Sequence, residues 1–297
     1  MPVSMRVTVF GSANADLVFP VPELPAAGRT VLGGAWRATP GGKGANQAVA
    51  AARDGAALRF AGAVGRDFLA GLALSALRDA GADLSTVAEV EAPTGAAAIC
   101  VDPQGRNQIA VSPGANALAR AAGVPPLAPG EIILMQMEVP PEENAALILR
   151  ARAEGALPVL NLAPAGPLDP TVLGALHLLV ANEHEAAWLA ARLGCAADAA
   201  ALHGALGVTV AVTLGERGAE AAGAGGRHTI PAFPARAIDT TGAGDCWCGV
   251  LAASLSRGAP LERAMRRASA AASIAVSRPG AADAMPWAEE TDRLLGG

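Results

Sequence analysis

A glycine-rich segment late in the chain combines a possible anion cradle with a possible base. Residues 239–245 read DTTGAGD and precede a predicted helix. Gly242, Ala243 and Gly244 can offer successive backbone N–H groups at the helix N-terminus, where the helix dipole also favours an anion. A carboxylate beside that cradle, Asp245, can accept the proton of a hydroxyl group. The alternative is that Asp245 only compensates the helix dipole.

A second glycine-rich segment lies nearer the N-terminus, where residues 40–47 read PGGKGANQ. Paired glycines allow the backbone to approach a ligand closely, and Asn46 falls one turn into the helix that follows. The segment is not a Walker A loop, because Lys43 is followed by Gly44 rather than by Ser or Thr. A flexible turn that caps a helix is the alternative interpretation.

The remaining candidate residues are polar side chains that follow predicted strands. In open α/β sheets, ligands bind beyond the carboxyl ends of the strands, so these positions form one coherent site. They are Asn14, Asp16, Glu138, Asn182, Glu185 and the stretch from Thr213 to Gly218.

Strands alternate with alanine-rich helices along most of the chain, which predicts a mostly parallel sheet covered by helices on both faces. The predicted strands cover 6–11, 58–64, 131–135, 157–162, 176–181 and 208–214, and the predicted helices 44–53, 67–80, 243–256 and 261–277. Two stretches, 17–39 and 94–111, contain extended segments with no helix between them. They predict a small antiparallel flap that could serve as a lid.

Composition and charge exclude several classes of function. The formal net charge is −5, so the chain has no general attraction for nucleic acid or for an anionic membrane. No Tyr is present, so a tyrosine phenol takes no part in the chemistry. The four cysteines lack metal-ligand spacing, and Cys246 and Cys248 are interpreted as buried small residues. Without a signal peptide or a long apolar run, the expected location is a reducing cytoplasm.

Three motifs together resemble the PfkB carbohydrate kinase family, in its ribokinase branch, over essentially the whole chain. Residues 11–16 (GSANAD) resemble the opening substrate motif, and residues 41–48 (GGKGANQA) resemble the first family signature. Residues 239–245 are similar to the second signature. The resemblance implies one catalytic domain over 1–297, a ribokinase-like three-layer α/β/α sandwich with a mostly parallel central sheet. It also implies a small β-sheet lid formed by about 14–40 and 94–112.

The activity implied by the resemblance is ATP-dependent phosphorylation of D-ribose at O5, with Mg²⁺ accompanying ATP and K⁺ as an activating cation. A homodimer clasped through the lid is also implied. Two alternatives stay open: another kinase of the family, acting on 2-deoxyribose, fructose or a nucleoside, and a non-catalytic sugar-binding protein built on the same fold.

Individual roles are carried over onto matching positions. The general base is Asp245, with Gly242, Ala243 and Gly244 as the anion hole. Sugar-binding positions are Asn14, Asp16, Gly41, Gly42, Lys43, Asn46, Glu138 and Asp245. Nucleotide-binding positions are Asn182, Thr213, Gly215, Gly218, Gly244 and Ser269. The Mg²⁺ position, through water, is Glu185, and the K⁺ positions are Asp239, Thr241, Ala275, Arg278 and Gly280. One departure from the family pattern is Ala284, which stands where many relatives have a serine hydroxyl near the cation.

Overall fold

The computed structural model describes residues 5–296 and is built on one large sheet of nine strands. The strands of this sheet are β1 (Val7–Phe10), β4 (Leu58–Gly65), β5 (Asp83–Val90), β8 (Ile132–Met135), β9 (Leu157–Asn161), β10 (Leu178–Asn182), β11 (Thr209–Thr213), β12 (Ala219–Gly223) and β13 (Gly226–Ile230). Their order across the sheet is β13-β12-β11-β10-β9-β8-β1-β4-β5. All neighbours from β11 to β5 are parallel, and β12 and β13 add an antiparallel edge.

Within residues 5–296, ten α-helices lie between the strands or after the last strand and cover both faces of the sheet. They are α1 (Lys43–Arg53), α2 (Phe68–Ala73), α3 (Ser75–Asp79), α4 (Pro141–Ala153), α5 (Pro170–Leu173), α6 (Glu183–Leu193), α7 (Ala199–Leu206), α8 (Ala243–Ser256), α9 (Leu261–Ala275) and α10 (Ala288–Leu295). The three-layer α/β/α arrangement predicted from the sequence is therefore confirmed.

Both faces of the large sheet are apolar, as parallel sheets require. In β8, Ile132 and Leu134 pack into the core beneath α1, α8 and α9, while Ile133 and Met135 pack into the core beneath α4 and α6. Strand β8 is consequently buried over its whole length, and its sequence is a continuous apolar run rather than an alternating one.

A second, four-stranded sheet forms the lid and has the order β3-β2-β6-β7. Its strands are β2 (Asn14–Pro20), β3 (Arg37–Gly41), β6 (Gly95–Val101) and β7 (Asn107–Ser112). The two predicted flap segments do pair with each other, but the central β2–β6 pair is parallel, and only the outer pairs are antiparallel. The lid is therefore a mixed sheet rather than a wholly antiparallel flap.

Helices α1 and α8 pack closely where Gly249 faces Gln47. A Cβ atom at Gly249 would lie 2.2 Å from the backbone oxygen of Gln47, so only glycine fits there. This contact lets the two helices that begin at the two glycine-rich motifs approach each other directly.

Other expectations differ from the structure in detail. The predicted helix over 67–80 is broken at Leu74 into α2 and α3. Strand β5 and the hairpin β12–β13 were not predicted, because their mixed polar and glycine-containing sequences lack a clear apolar run. Cys246 and Cys248 are buried in α8, as expected. Within residues 5–296, no helix is both long and apolar enough to cross a membrane.

Candidate active site

The carboxylate of Asp245 lies at the centre of the site, held by two amide groups from α1. Asn46 Nδ2 donates to Oδ2 at 3.1 Å and Gln47 Nε2 donates to Oδ1 at 3.0 Å. Gln47 Oε1 in turn accepts from Gln136 Nε2 at 2.7 Å. Each carboxylate oxygen has two lone pairs, so both can still accept a proton donor from a substrate.

Burial and neighbouring charges tune this carboxylate. Asp245 is only 6% exposed, and burial raises its pKa above the usual value for aspartate, although the ammonium group of Lys43 opposes that shift. Conversely, the negative charge of Asp245 raises the pKa of Lys43. A carboxylate with a raised pKa is a stronger base and is better suited to accept a proton at neutral pH.

The sugar-side residues of the first two motifs lie close together. Gly41 in β3 pairs with Asn14 in β2, and a Cβ atom at Gly41 would lie 2.1 Å from Asp16 Oδ2. The carboxylate of Asp16 therefore occupies the space that a side chain at Gly41 would fill. Gly42 begins α1 with φ at 90°, a left-handed conformation that favours glycine, and its backbone passes close to that of Asn14.

Glu138 joins the end of β8 to the start of α1. Its Oε2 accepts hydrogen bonds from Ser12 Oγ at 2.6 Å and from the Lys43 backbone N–H at 3.0 Å. Ser12 Oγ also accepts from the Gly44 N–H at 3.2 Å. Burial, followed by the charges of Glu138 and Asp245, raises the pKa of Asp16 to about 6.

One buried acceptor on the sugar side lacks a partner. Asn46 uses its Nδ2 for Asp245, while its Oδ1 is buried and has no hydrogen bond within residues 5–296. A buried polar atom without a partner costs about 1–3 kcal/mol, so this oxygen is suited to a hydroxyl donor from a bound molecule.

At the start of α8, the predicted anion hole has two N–H groups, those of Gly242 and Gly244, without a hydrogen bond to the part of the chain that the structure describes. Gly242 is the N-cap in a left-handed conformation, packed against Ala281 and Met285. The Ala243 N–H donates to Thr240 O at 3.2 Å, which differs from the expectation of three successive free donors. Gly244 faces open space, where a Cβ atom would meet no atom within 4 Å. An anion would therefore contact the N–H groups of Gly242 and Gly244.

The nucleotide-side residues share one cleft with the base. Asn182, Glu185 and Thr213 line the same cavity as Lys43 and Asp245. Glu185 forms a capping box with Asn182: Asn182 Oδ1 accepts from the Glu185 N–H at 2.9 Å and Glu185 Oε2 accepts from the Asn182 N–H at 2.8 Å. Burial raises the pKa of Glu185, and its Oε1 is not engaged by this capping box.

The predicted cation residues meet at the turn behind the anion hole. Asp239 Oδ1 accepts from the Thr241 N–H at 2.9 Å and Oδ2 accepts from the Gly280 N–H at 3.0 Å. The Ala275 oxygen accepts from the Arg278 N–H at 3.1 Å, and the Arg278 side chain pairs with Glu290.

Three of the predicted nucleotide-binding positions are not among the residues that line this cavity, and their role stays a prediction. Ser269 is buried in α9, where its Oγ accepts from Trp247 Nε1 of α8 at 3.2 Å. Gly215 and Gly218 form the turn after Thr213, beyond the lining of the cavity. At Gly218 a Cβ atom would lie 2.0 Å from the backbone oxygen of Ile230, which explains the need for glycine there.

Sequence reasoning missed three residues that organise the site. Ser12 joins Glu138 to α1, Gln47 fixes the base, and Asn116 bonds to Asn14. Gln47 adjoins Asn46 in the glycine motif, so its position was a usable signal. The partners of Asn116 are 102 and 103 positions away, and no local pattern indicates such contacts.

The oxygen donors that could bind a cation lie at Glu185 and around Asp239. Within residues 5–296, no group of three or more His, Cys, Asp or Glu side chains could hold a metal ion. Mg²⁺ is commonly held by one or two carboxylates together with waters and substrate phosphates, and Glu185 in the cleft fits that pattern. Asp239 and the carbonyl groups beside it offer oxygen atoms to a monovalent cation, although Ala284 contributes no hydroxyl.

Comparisons with known proteins agree with this fold and site. A family model described as pfkB family carbohydrate kinase matches residues 4–288. The ribokinase of Bacillus subtilis is 35% identical, covering 98% of this chain and 99% of its own. That of Haemophilus influenzae is 36% identical, covering 97% and 98%.

Solved structures show the same likeness. The ribokinase of Thermotoga maritima superposes with a TM-score of 0.89 at 31% identity, covering 99% of this chain and 100% of its own. The Arabidopsis thaliana ribokinase, solved with ribose and ATP, has a TM-score of 0.87 at 29% identity over the same shares. The arrangement of base, anion hole and lid is thus that of a sugar kinase. The chain belongs to the pfkB family of carbohydrate kinases.

Proposed function

We propose that this protein transfers the γ-phosphoryl group of ATP to O5 of D-ribose, which yields ribose 5-phosphate and ADP. The observation that carries the proposal is the buried carboxylate of Asp245, which lies beside an unpaired acceptor on Asn46 and in the first turn of α8, next to the backbone N–H groups of Gly242 and Gly244. The ribokinases that match this chain over nearly its whole length support ribose as the sugar.

The reaction follows from the positions of these groups. Asp245 accepts the proton of the O5 hydroxyl, and O5 forms a bond to the γ-phosphorus while the bond to the ADP oxygen breaks. The N–H groups of Gly242 and Gly244 donate to the transferring phosphoryl oxygens, and the Lys43 ammonium adds positive charge nearby. Such fixed donors lower the barrier because they need no reorganisation as charge develops.

The sugar-side residues would hold the other hydroxyl groups. Asp16 accepts hydrogen bonds, and the Asn46 oxygen accepts one more. Glu138 is already bonded to Ser12 and to the start of α1, so it both shapes the pocket and can accept from the sugar with its remaining lone pairs.

Cations are the second part of the proposal. Mg²⁺ supplied with ATP neutralises phosphate charge, and Glu185 would hold it through water. K⁺ would bind between Asp239 and the backbone oxygens of Thr241, Ala275, Arg278 and Gly280. Asp239 already joins the two sides of this turn through Thr241 and Gly280, so an ion there would act on the aim of the adjoining anion hole.

A homodimer through the lid is the third part. Every residue of the outer strand β7 is exposed, including Ile109 and Val111, and Leu32 and Trp36 are also exposed. An exposed edge strand with apolar side chains favours pairing with another chain. Sedimentation velocity should therefore give twice the chain mass, and Ile109→Lys should give a monomer. A monomer for the unaltered chain would contradict this part.

The function is tested directly by coupled measurement of ADP formation with MgATP and D-ribose, together with mass spectrometry of the product. We expect one ADP for each ribose 5-phosphate. Fructose and adenosine, tested at equal concentrations, should give lower kcat/KM. A higher kcat/KM for adenosine would favour a nucleoside kinase; the likeness to nucleoside kinase structures, at 23% and 21% identity, shows only the shared fold.

A further inference from the structure

Asn116 lies where the lid joins the large sheet. It belongs to a 3-10 turn, Gly114–Leu118, that follows β7, and it is only 1% exposed. Its side chain contacts the segment between β1 and β2, which contains Asn14. A buried polar side chain at a junction of this kind needs hydrogen-bond partners, and those partners define its orientation.

The backbone determines which way the Asn116 amide faces. The Ala13 N–H can only donate, and it lies 3.0 Å from Asn116 Oδ1. The other branch of the amide must therefore be Nδ2, which donates to Asn14 Oδ1 at 2.7 Å and lies 3.4 Å from Ala13 O. Exchanging the oxygen and nitrogen would place two donors, or two acceptors, face to face.

The orientation of the Asn116 amide also determines the orientation of the Asn14 amide. Because Asn14 Oδ1 accepts a hydrogen bond from Asn116, the other branch of the Asn14 amide is Nδ2, a donor that remains available to a ligand. Asn14 and Asn116 line one cavity with Glu138, so the free donor lies at the border of the sugar pocket. Asp16 and the Asn46 oxygen, in contrast, are acceptors.

We propose that Asn116 is a positioning residue for the sugar site, which fixes Asn14 as a hydrogen-bond donor to a ribose hydroxyl oxygen. The inference rests on the proposed ribose kinase function and adds the direction of one hydrogen bond. The sugar hydroxyl at Asn14 must then accept from it and direct its own proton towards a carboxylate or carbonyl oxygen.

Tight packing at Gly95 keeps the two amides together. A Cβ atom at Gly95 would lie 2.2 Å from Asn116 Nδ2 and 2.3 Å from Asn14 Oδ1. Gly95 is the first residue of β6, so the lid strand, the 3-10 turn and β2 meet at this single hydrogen bond. The orientation of Asn14 is thereby tied to the placement of the lid.

The test is a double-mutant cycle measured as ribose binding by calorimetry, with the intact protein. Asn116→Asp keeps the shape but replaces the donor with an oxygen, so the Asn14 amide loses its partner. We expect the Kd for ribose to rise about tenfold, the scale of one buried hydrogen bond, with the Kd for ATP within about twofold. In an Asn14→Ala background, the same change should add less than about twofold, because the residue that it positions is gone.

The experiment also includes a control variant at the base of the lid and a second substitution of Asn116. Thr94→Val removes another buried hydroxyl at the base of the lid, which contacts Gly65 and Asp67, and should leave ribose binding unchanged. Asn116→Ala, which introduces no charge, replaces Asn116→Asp if that variant does not fold.

The possible outcomes separate the inference from the function on which it rests. Three results would each overturn the inference. The first is an unchanged Kd for ribose in the Asn116 variants, and the second is the same loss of ribose affinity in the Asn14→Ala background as in the unaltered protein. The third is an equal loss of ribose affinity in Thr94→Val. Absence of ribose binding in the unaltered protein would instead refute the proposed function.

Discussion

The sugar side and the nucleotide side of the cleft are held by different kinds of contact. On the sugar side, buried side chains hold one another: Asn46 and Gln47 hold Asp245, and Ser12 holds Glu138. On the nucleotide side, Asn182, Thr241 and Gly244 are exposed, and the turns there are fixed mainly by hydrogen bonds from backbone N–H groups to single side chains. The difference indicates that the sugar pocket is preorganised by buried side chains, whereas the phosphate side is more open to solvent.

The largest effect is expected at the base, on the preorganised side. Asp245→Asn keeps the size of the side chain but removes the proton acceptor, and one of the two amides from α1 then faces another NH₂ group. We expect kcat to fall by at least about 10²-fold, the scale of a lost general base. Steady-state kinetics measure the loss, and ADP binding with a circular dichroism spectrum serves as the control. A folded variant within a few-fold of the unaltered kcat would refute the role of Asp245.

A preorganised sugar pocket should reject a sugar that lacks a hydroxyl. Asp16 and the Asn46 oxygen would be left buried without partners beneath the lid when 2-deoxyribose binds. We expect kcat/KM for ribose to exceed that for 2-deoxyribose by at least about tenfold. Initial rates over a range of both sugars provide the measurement. Equal values would show that the pocket adapts to its ligand, and the contrast between the two sides would then fail.

A smaller effect follows from the pKa of Asp16, which is about 6. Ribose binding needs the ionised carboxylate, so affinity is complete well above pH 6 and decreases as the pH falls through this value. With a single group of this pKa, the Kd for ribose should rise about fourfold between pH 7.5 and pH 5.5. Calorimetry at several pH values measures it.

The matched control for this pH effect is Asp16→Asn, which has no charge to lose. Its ribose affinity should be weaker but nearly constant over the same range. A pH dependence that persists in Asp16→Asn would assign the titration to Asp245 instead of Asp16.

The smallest effect is expected from K⁺ on the nucleotide side. An ion beside Asp239 would fix residues 240–244 and hence the aim of the Gly242 and Gly244 donors. We expect kcat to rise by about threefold when KCl replaces NaCl at constant ionic strength, since misaligned donors stabilise the transferring phosphoryl group less well. Ala284, which lacks a hydroxyl, argues for a modest effect. An unchanged kcat would mean that the protein alone orders this turn.

Much of the fold could be predicted from the sequence because its signals are local. The strands β1, β8 and β10 are short apolar runs, and the two glycine motifs mark helix starts that the structure places at α1 and α8. Strand β5 was not predicted because it lies at the sheet edge, where half-exposed polar residues hide the pattern. The lid strands were recognised as extended, but their parallel central pair depends on contacts between distant segments.

Candidate site residues could be predicted where suitable side chains occur beside glycines within one short motif, as at Asp245, Asn46 and Lys43. Residues that act through partners distant in sequence were missed. The nucleotide role of Ser269 stays a prediction that rests on the family resemblance, and the sequence did not indicate that the Ser269 hydroxyl accepts a hydrogen bond from Trp247. One sequence cannot reveal which face of a helix a larger neighbour such as Trp247 will occupy.

The close packing of α1 and α8 at Gly249 has a consequence for how the protein can diversify. The base Asp245 lies on α8, and the two amides that hold it lie on α1. The two helices leave no room for an added methyl group at Gly249, so these three side chains keep fixed positions relative to one another. The lid, in contrast, exposes every residue of its outer strand. Substitutions in the lid can therefore change which substrate is accepted without moving Asp245 or the two amides that hold it.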